Sequence, residues 1–371
     1  MKTALVIGGG FAGCTAANML KQKGFKVTVL EKSELLGGGC RTHFYYGHPY
    51  TYGPHHLLVD LDKMYIYDYF AKYLEFREFD HYNMTYVGED DAFYTYPIHK
   101  DDIELMPDKN KIYQEIGNLP KELSPVDFED YWKNSVGETL YNKFINDYSK
   151  KMWQVKNNKQ LDEFTFSMKN KPNDALKTGS KKCFDGKKRV FYPTAYDGYN
   201  SYFEACVEGC EVVFNTSVEK FDLLNKRVWA NEQWYSGDVV ISTVSPDMVF
   251  DYCYGELPYM GREFLPIILP IERITPEPNF FIHYANNEPY TRIFEYKLLT
   301  GYKSPHTLIA LEFPSTKNKL YPYPVISEIN KAKKYISMMP EGVFSIGRNG
   351  NYHYDNMDVV IKHCFEIMEK I

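Results

Sequence analysis

Gly8, Gly10 and Gly13 are spaced G-x-G-x-x-G, and a carboxylate, Glu31, follows 23 residues after the first. In that spacing the first glycine makes a tight turn and the second lets a pyrophosphate lie against the backbone. The third lets a helix pack closely on a strand. The N–H groups that open the helix, around Phe11 and Ala12, then face the phosphates. Glu31 is placed to accept hydrogen bonds from a ribose diol, which favours FAD or NAD over NADP. Lys32 and Gly38 complete the expected contacts. These residues point to the binding of an adenine dinucleotide.

The motif carries meaning only between a strand and a helix, and both are written around it. The apolar run ALVI precedes Gly8, the alanine-rich FAGCTAANML follows Gly10, and KVTVL leads to Glu31. Further along, residues 62–97 read as short aromatic strands and turns, and residues 100–165 carry helical spacing. Residues 169–189 break every period and hold eight Lys/Arg. DVVISTVS resembles a strand that rejoins a dinucleotide sheet, and residues 256–314 alternate as antiparallel strands do. A strand, a glycine-containing turn and an amphipathic helix close the chain, with Asp355 or Asn356 placed to cap that helix. The expected architecture is α/β, with a discontinuous Rossmann-like FAD-binding domain (1–60, 190–250 and 330–371). A helical substrate domain (98–168), a mobile lid (169–189) and an antiparallel-sheet lobe (61–97 and 251–329) complete it.

Composition narrows the class. With 44% hydrophobic and 25% charged residues the chain reads as a soluble enzyme, and its net charge of −6 argues against a nucleic-acid partner. No apolar run reaches the roughly 20 residues of a bilayer span, so no membrane insertion is expected. The first strand begins almost at once, leaving no room for a signal peptide. Seven scattered cysteines read as reduced thiols of a cytoplasmic protein, not as metal ligands.

Six strings then occur in order: Tyr52-Gly53-Pro54-His55; Tyr148 to Trp153 (YSKKMW); Asp197-Gly198-Tyr199; Pro289-Tyr290-Thr291-Arg292; Tyr321-Pro322-Tyr323-Pro324; and Gly347-Arg348 with Tyr352-His353-Tyr354 and Met357-Asp358. Together they resemble the UDP-galactopyranose mutase family over almost the whole chain. The resemblance implies a flavin-dependent isomerase that interconverts pyranose and furanose forms of a nucleotide-diphosphate sugar. It further implies that reduced FAD N5 is the nucleophile at the anomeric carbon and that NAD(P)H or another donor reduces the flavin. It implies that Tyr52 and His55 pass the flavin, and that Arg348 and Met357 contact the cofactor. Arg292, Tyr323 and Tyr354 would hold the substrate diphosphate and, with His55, form the catalytic set. Phe144, Tyr148 and Trp153 would hold the base and flank the sugar, with Asn83 and Tyr199 nearby. By analogy with bacterial members it implies a homodimer.

The residues alone leave blander readings open. Phe144, Tyr148 and Trp153 also fit a core stripe, and Arg292 a cross-strand partner of Glu295 or Glu288. Tyr352 and Tyr354 point to opposite sides, so only one is expected to reach ligand. Two positions depart from the family pattern. Leu58 stands for a second histidine, which would make the sugar edge more apolar and suit a deoxy carbon, so the expected substrates widen from UDP-galactopyranose to a UDP-N-acetylhexosamine, a UDP-pentose or a dTDP-6-deoxyhexose. Met168 stands near the place of a lid arginine, whose work one or more of Lys169, Lys171, Lys177, Lys181, Lys182 or Arg189 would take over. Lys169, next to Met168, is counted among the substrate-binding candidates. The competing class is a flavin amine oxidase or desaturase, which shares the FAD lobe.

Overall fold

The computed structural model describes residues 1–163, 175–184 and 186–371. Thr3–Ile7 is buried along four of its five residues, as a strand covered on both faces must be. It pairs in parallel with Lys26–Leu30 on one side and Val239–Ser242 on the other. Glu211–Val213 and Val343–Ser345 extend the sheet at its edges, giving five parallel strands in the order 211, 26, 3, 239, 343. The order reverses at the first strand, and a doubly wound sheet opens its ligand crevice at such a point. Helix Phe11–Gln22 begins there and packs between helices Asn200–Val207 and Met357–Lys370. Asn356 does stand at the cap position of the last helix, without a side-chain capping bond.

A second, seven-stranded sheet runs 321, 259, 307, 292, 281, 83, 92. Its pairs are antiparallel except Phe281–Tyr284 with Asn83–Val87, which run parallel. Strand Lys188–Pro193 bridges Leu57–Asp60 and Phe76–Glu78 in a small sheet below it. The helical segment is Lys109–Gly117, Phe128–Val136 and a longer run from Glu138 to Trp153. A wide π turn at Asn142–Asn146 interrupts that run. Such turns re-aim the side chains around them, and this one carries Phe144. Among the described residues, no helix is long and apolar enough to cross a membrane.

Candidate functional site

Two cavities meet in this frame. The first lies on the glycine turn and is lined by Gly10, Phe11, Ala12, Gly37–Cys40, Tyr52, His55, Thr243, Tyr321, Arg348, Asp355 and Met357. Gly8 has φ +98°, and a Cβ on Gly13 would stand 1.8 Å from the Gly8 carbonyl oxygen, so helix and strand touch here without side chains between them. Gly10 presents bare backbone, with only the Gly38 Cα within 4.0 Å of where its Cβ would be. That surface fits a pyrophosphate, and the twelve-residue helix aims its unpaired N–H groups at it. Arg348 adds a positive charge, held by its Nη1 on the Leu320 carbonyl (3.2 Å) and its Nη2 on the Asp355 carbonyl (3.1 Å).

Glu31 is buried outside this wall. One carboxylate oxygen accepts the Gly9 N–H at 2.6 Å and the other accepts the Ser33 N–H and hydroxyl at 2.8 Å. It orders the glycine turn and keeps acceptor capacity for a further donor. Lys32 is exposed and lines neither cavity.

The second cavity is lined by Pro54, His56, His81, Asn83, Thr85, Tyr96, Trp132, Phe144, Tyr148, Met152, Cys183, Phe281, His283, Arg292, Tyr321 and Tyr354. The turn Tyr52–His55 partitions the two cavities, since Pro54 faces one and His55 the other. His55 holds φ +41°, a left-handed conformation that costs about 1–2 kcal/mol for a residue with a Cβ. Such strain marks a position fixed by its surroundings. Burial, with Arg348 beside it, pushes the His55 imidazole down to about 4. Burial pushes the Cys40 thiol, 3.6 Å from His55 Nδ1, up to about 11. At neutral pH both are uncharged, which excludes a thiolate–imidazolium nucleophile.

Arg292 enters the second cavity from the strand Arg292–Glu295, and across the ladder it meets Glu312, not Glu295 or Glu288. Its Nε and Nη2 donate to the two Glu312 oxygens at 2.9 and 2.6 Å, and Thr291 Oγ1 donates to the same carboxylate at 2.6 Å. Arg262, 2% exposed, lies 3.4 Å from that carboxylate. Burial works against both charges of the Arg292–Glu312 pair. Glu312 nevertheless holds Arg292 well above its usual range, and the two arginines hold Glu312 below its own. Two guanidiniums against one carboxylate leave one surplus positive charge behind the wall.

Tyr321 lines both cavities, stacked on Tyr354 at 5.2 Å and 16°. Arg262 and Arg348 lie over its ring at 4.6 and 5.0 Å. Burial pushes Tyr148 up to about 12, so it stays a neutral phenol.

Several expected contacts lie elsewhere. Trp153 is 1% exposed and off the cavity wall, and Tyr323 packs on it at 5.8 Å with its hydroxyl on the Trp153 carbonyl. From Tyr148, a residue five positions on is about 140° around a helix, whereas four positions on is about 40°. Met152 therefore lines the cavity where Trp153 was expected. Tyr321 takes the wall expected of Tyr323. Tyr199 is fully buried among Phe70, Phe76 and Tyr192 and lines neither cavity. Leu58 is buried opposite Val190 in the small sheet, so it does not make a sugar edge apolar. Its neighbour His56 lines the cavity instead.

Lys181 is paired with Asp102, Lys182 with Asp80 and Arg189 with Glu78. The Lys177 ammonium donates to the Lys182 carbonyl. Met168, Lys169 and Lys171 fall outside the described residues.

Sequence reasoning passed over Tyr321, Met152, Arg262 and Glu312. The available signal was charge inside two otherwise apolar strands, Arg262 (beside Glu263) in YMGREFLPIIL and Glu312 in TLIALEFPS.

Residues 143–354 match the model of the family described as UDP-galactopyranose mutase, and residues 6–73 match an NAD(P)-binding Rossmann-like domain. The chain belongs to the UDP-galactopyranose mutase family. It is an isomerase of the mutase type built on a dinucleotide-binding fold. The chain is 25% identical to the dTDP-fucopyranose mutase of Escherichia coli, over 99% of its own length and 97% of the relative's. It is 22% identical to the probable UDP-galactopyranose mutase of Klebsiella pneumoniae, over 100% and 94%. The crystal structure of a reduced UDP-galactopyranose mutase superposes with a TM-score of 0.82 at 17% identity, covering 100% of this chain and 95% of that one.

Proposed function

We propose that this mutase interconverts the pyranose and furanose forms of a nucleotide-diphosphate hexose, with FAD in the glycine-lined cavity and the sugar nucleotide in the other. The observation that carries the reading is the shared wall: the partition at Pro54 and His55, together with Tyr321, lets a sugar in one cavity meet a flavin ring in the other. Reduced FAD, when bound, supplies a nucleophilic nitrogen for the anomeric carbon.

The chain supplies charge, position and dryness. A substrate diphosphate must be matched by buried donors, because an unpaired buried anion is prohibitive. Arg292 spends two of its five N–H donors on Glu312, and the remaining three are for the diphosphate. Tyr354, in the same wall, adds a hydroxyl. Holding charge on the departing diphosphate is worth more here than in water, because the donors are already oriented and shielded. Phe144, Tyr148 and Met152 form a flat apolar wall for the base, and Asn83 with His56 and His81 offers polar contacts for the sugar. His55 is neutral above pH 4 and serves as a hydrogen-bonding neighbour of the flavin, not as a cation.

Two substrates follow from the relatives' names: UDP-galactopyranose and dTDP-fucopyranose. The test is to incubate oxidised and dithionite-reduced holoprotein with each and separate the sugars by chromatography. Furanose product from the reduced protein alone is expected. Stoichiometric oxidation of the sugar, or no furanose from either nucleotide in either state, overturns the reading.

A further inference from the structure

The helix Asp147–Trp153 and the strand pair Phe281–Tyr284 and Arg292–Glu295 both line the second cavity, and one side chain ties them together. The Lys151 ammonium donates to the carbonyls of Tyr284, Asn286 and Glu288 at 3.0, 3.0 and 2.8 Å. An ammonium has three N–H donors, so each finds one acceptor. Those carbonyls belong to the turn that joins the two strands, closed by the Tyr284 N–H on the Thr291 carbonyl at 2.9 Å. The next residue after that closure is Arg292. Within the ladder His283 stands opposite Arg292, and its ring meets the Tyr148 ring at 5.4 Å. The Asn286 side chain fastens the same turn elsewhere, accepting the Gly88 N–H at 2.8 Å and reaching the Lys143 carbonyl at 3.5 Å.

We propose that Lys151 is a positioning residue that sets the spacing between Tyr148 and Arg292 and thereby the affinity for the nucleotide diphosphate. The inference rests on the second cavity being the nucleotide-sugar site. Lys151 lines neither cavity, so it acts through the turn it grips and not by touching ligand. The charged groups facing it are Glu288, whose Oε2 lies 3.9 Å away, and Asp147 one turn earlier on its own helix. The phenols of Tyr284 and Tyr290 lie beside Glu288. Burial pushes the ammonium down to about 8, against the pull of Glu288 and Asp147. Once neutral, the amine has two N–H donors for three carbonyls, and the turn loses one of its ties. Affinity must therefore weaken as pH rises through about 8.

The test uses oxidised holoprotein with UDP and dTDP as probes, titrated calorimetrically from pH 6.5 to 9.5, and mutase kinetics at pH 7. Lys151→Gln is expected to raise Kd and KM about tenfold while kcat at saturation stays within about twofold, the signature of lost uniform binding. Wild-type Kd should rise through pH 8, and this rise should vanish in Lys151→Gln. Lys151→Arg, which keeps its charge at every pH used, should remove the rise as well. It serves alone if the glutamine variant does not fold. Unchanged Kd in Lys151→Gln, or a pH rise that persists in either variant, overturns the inference while leaving the site intact. Failure of the wild type to bind either nucleotide at any pH overturns the site assignment and the inference together.

Discussion

The two cavities are built by opposite means. The dinucleotide cavity is made of backbone: Gly8, Gly10, Gly13, Gly37 and Gly38 clear space, and helix Phe11–Gln22 supplies the charge of its N-terminus. The other is made of side chains drawn from the Tyr52–His55 turn, a parallel strand pair, an interrupted helix and three antiparallel strands. Its charge depends on one carboxylate, Glu312, shared by the buried Arg262 and the partly buried Arg292. A site made of absent side chains breaks when atoms are added, and a site made of paired charges breaks when atoms are removed.

That contrast can be broken at its strongest point first. Glu312→Ala strands Arg262 and Arg292 without a counter-charge, and removing one partner of a buried pair costs about 3–5 kcal/mol. Chemical denaturation should show a loss of that size. A stable variant would mean that the arginines find water or another acceptor, and that the charge balance is not fixed by Glu312.

Gly13→Ala adds one methyl group where the Gly8 carbonyl already stands, and overpacking of this kind costs about 1–3 kcal/mol. The purified variant should be pale, with the flavin absorbance per protein well below wild type, while the second sheet keeps its near-ultraviolet circular dichroism. Retention of full flavin would sink the backbone account of the first cavity.

The smallest effect concerns the partition between them. His55 has its imidazole held down to about 4, so below its ordinary range the unfolded chain takes up a proton that the folded chain resists. Stability should therefore fall as pH drops from about 6.5 toward 4. Asparagine tolerates the left-handed backbone at this position, so His55→Asn should flatten that part of the melting-temperature profile. An unchanged slope would place the acid sensitivity in other groups.

The same contrast explains what the sequence could reveal. Gly8 to Glu31 is one contiguous strand–helix–strand stretch, so its motif and its elements vouch for one another, and the structure pairs those strands in parallel. Val239–Ser242 was legible as a sheet strand because an apolar run ending in small residues suits a position covered on both faces. The second cavity depends on which way single side chains turn. One residue of helical phase separates Met152 from Trp153, and the end of the strand Tyr321–Pro322 separates Tyr321 from Tyr323. Glu312 was hidden because its partner lies on a neighbouring strand, and register across a ladder leaves little trace in local pattern.

Synthesis order gives the discontinuous parallel sheet a consequence of its own. The strand Val343–Ser345 and the helix Met357–Lys370, which packs on the helix behind the glycine turn, are synthesised long after the amino-terminal strand–helix–strand unit. Arg348 and Met357 of the first cavity lie in the same stretch. The amino-terminal strand–helix–strand unit must therefore wait for Val239–Ser242 to pair its inner edge and for Met357–Lys370 to cover its helix. The first cavity, which needs Arg348 and Met357, is complete only once those residues have been made. Truncation near the carboxyl terminus should harm the amino-terminal lobe as much as a lesion in the glycine motif itself.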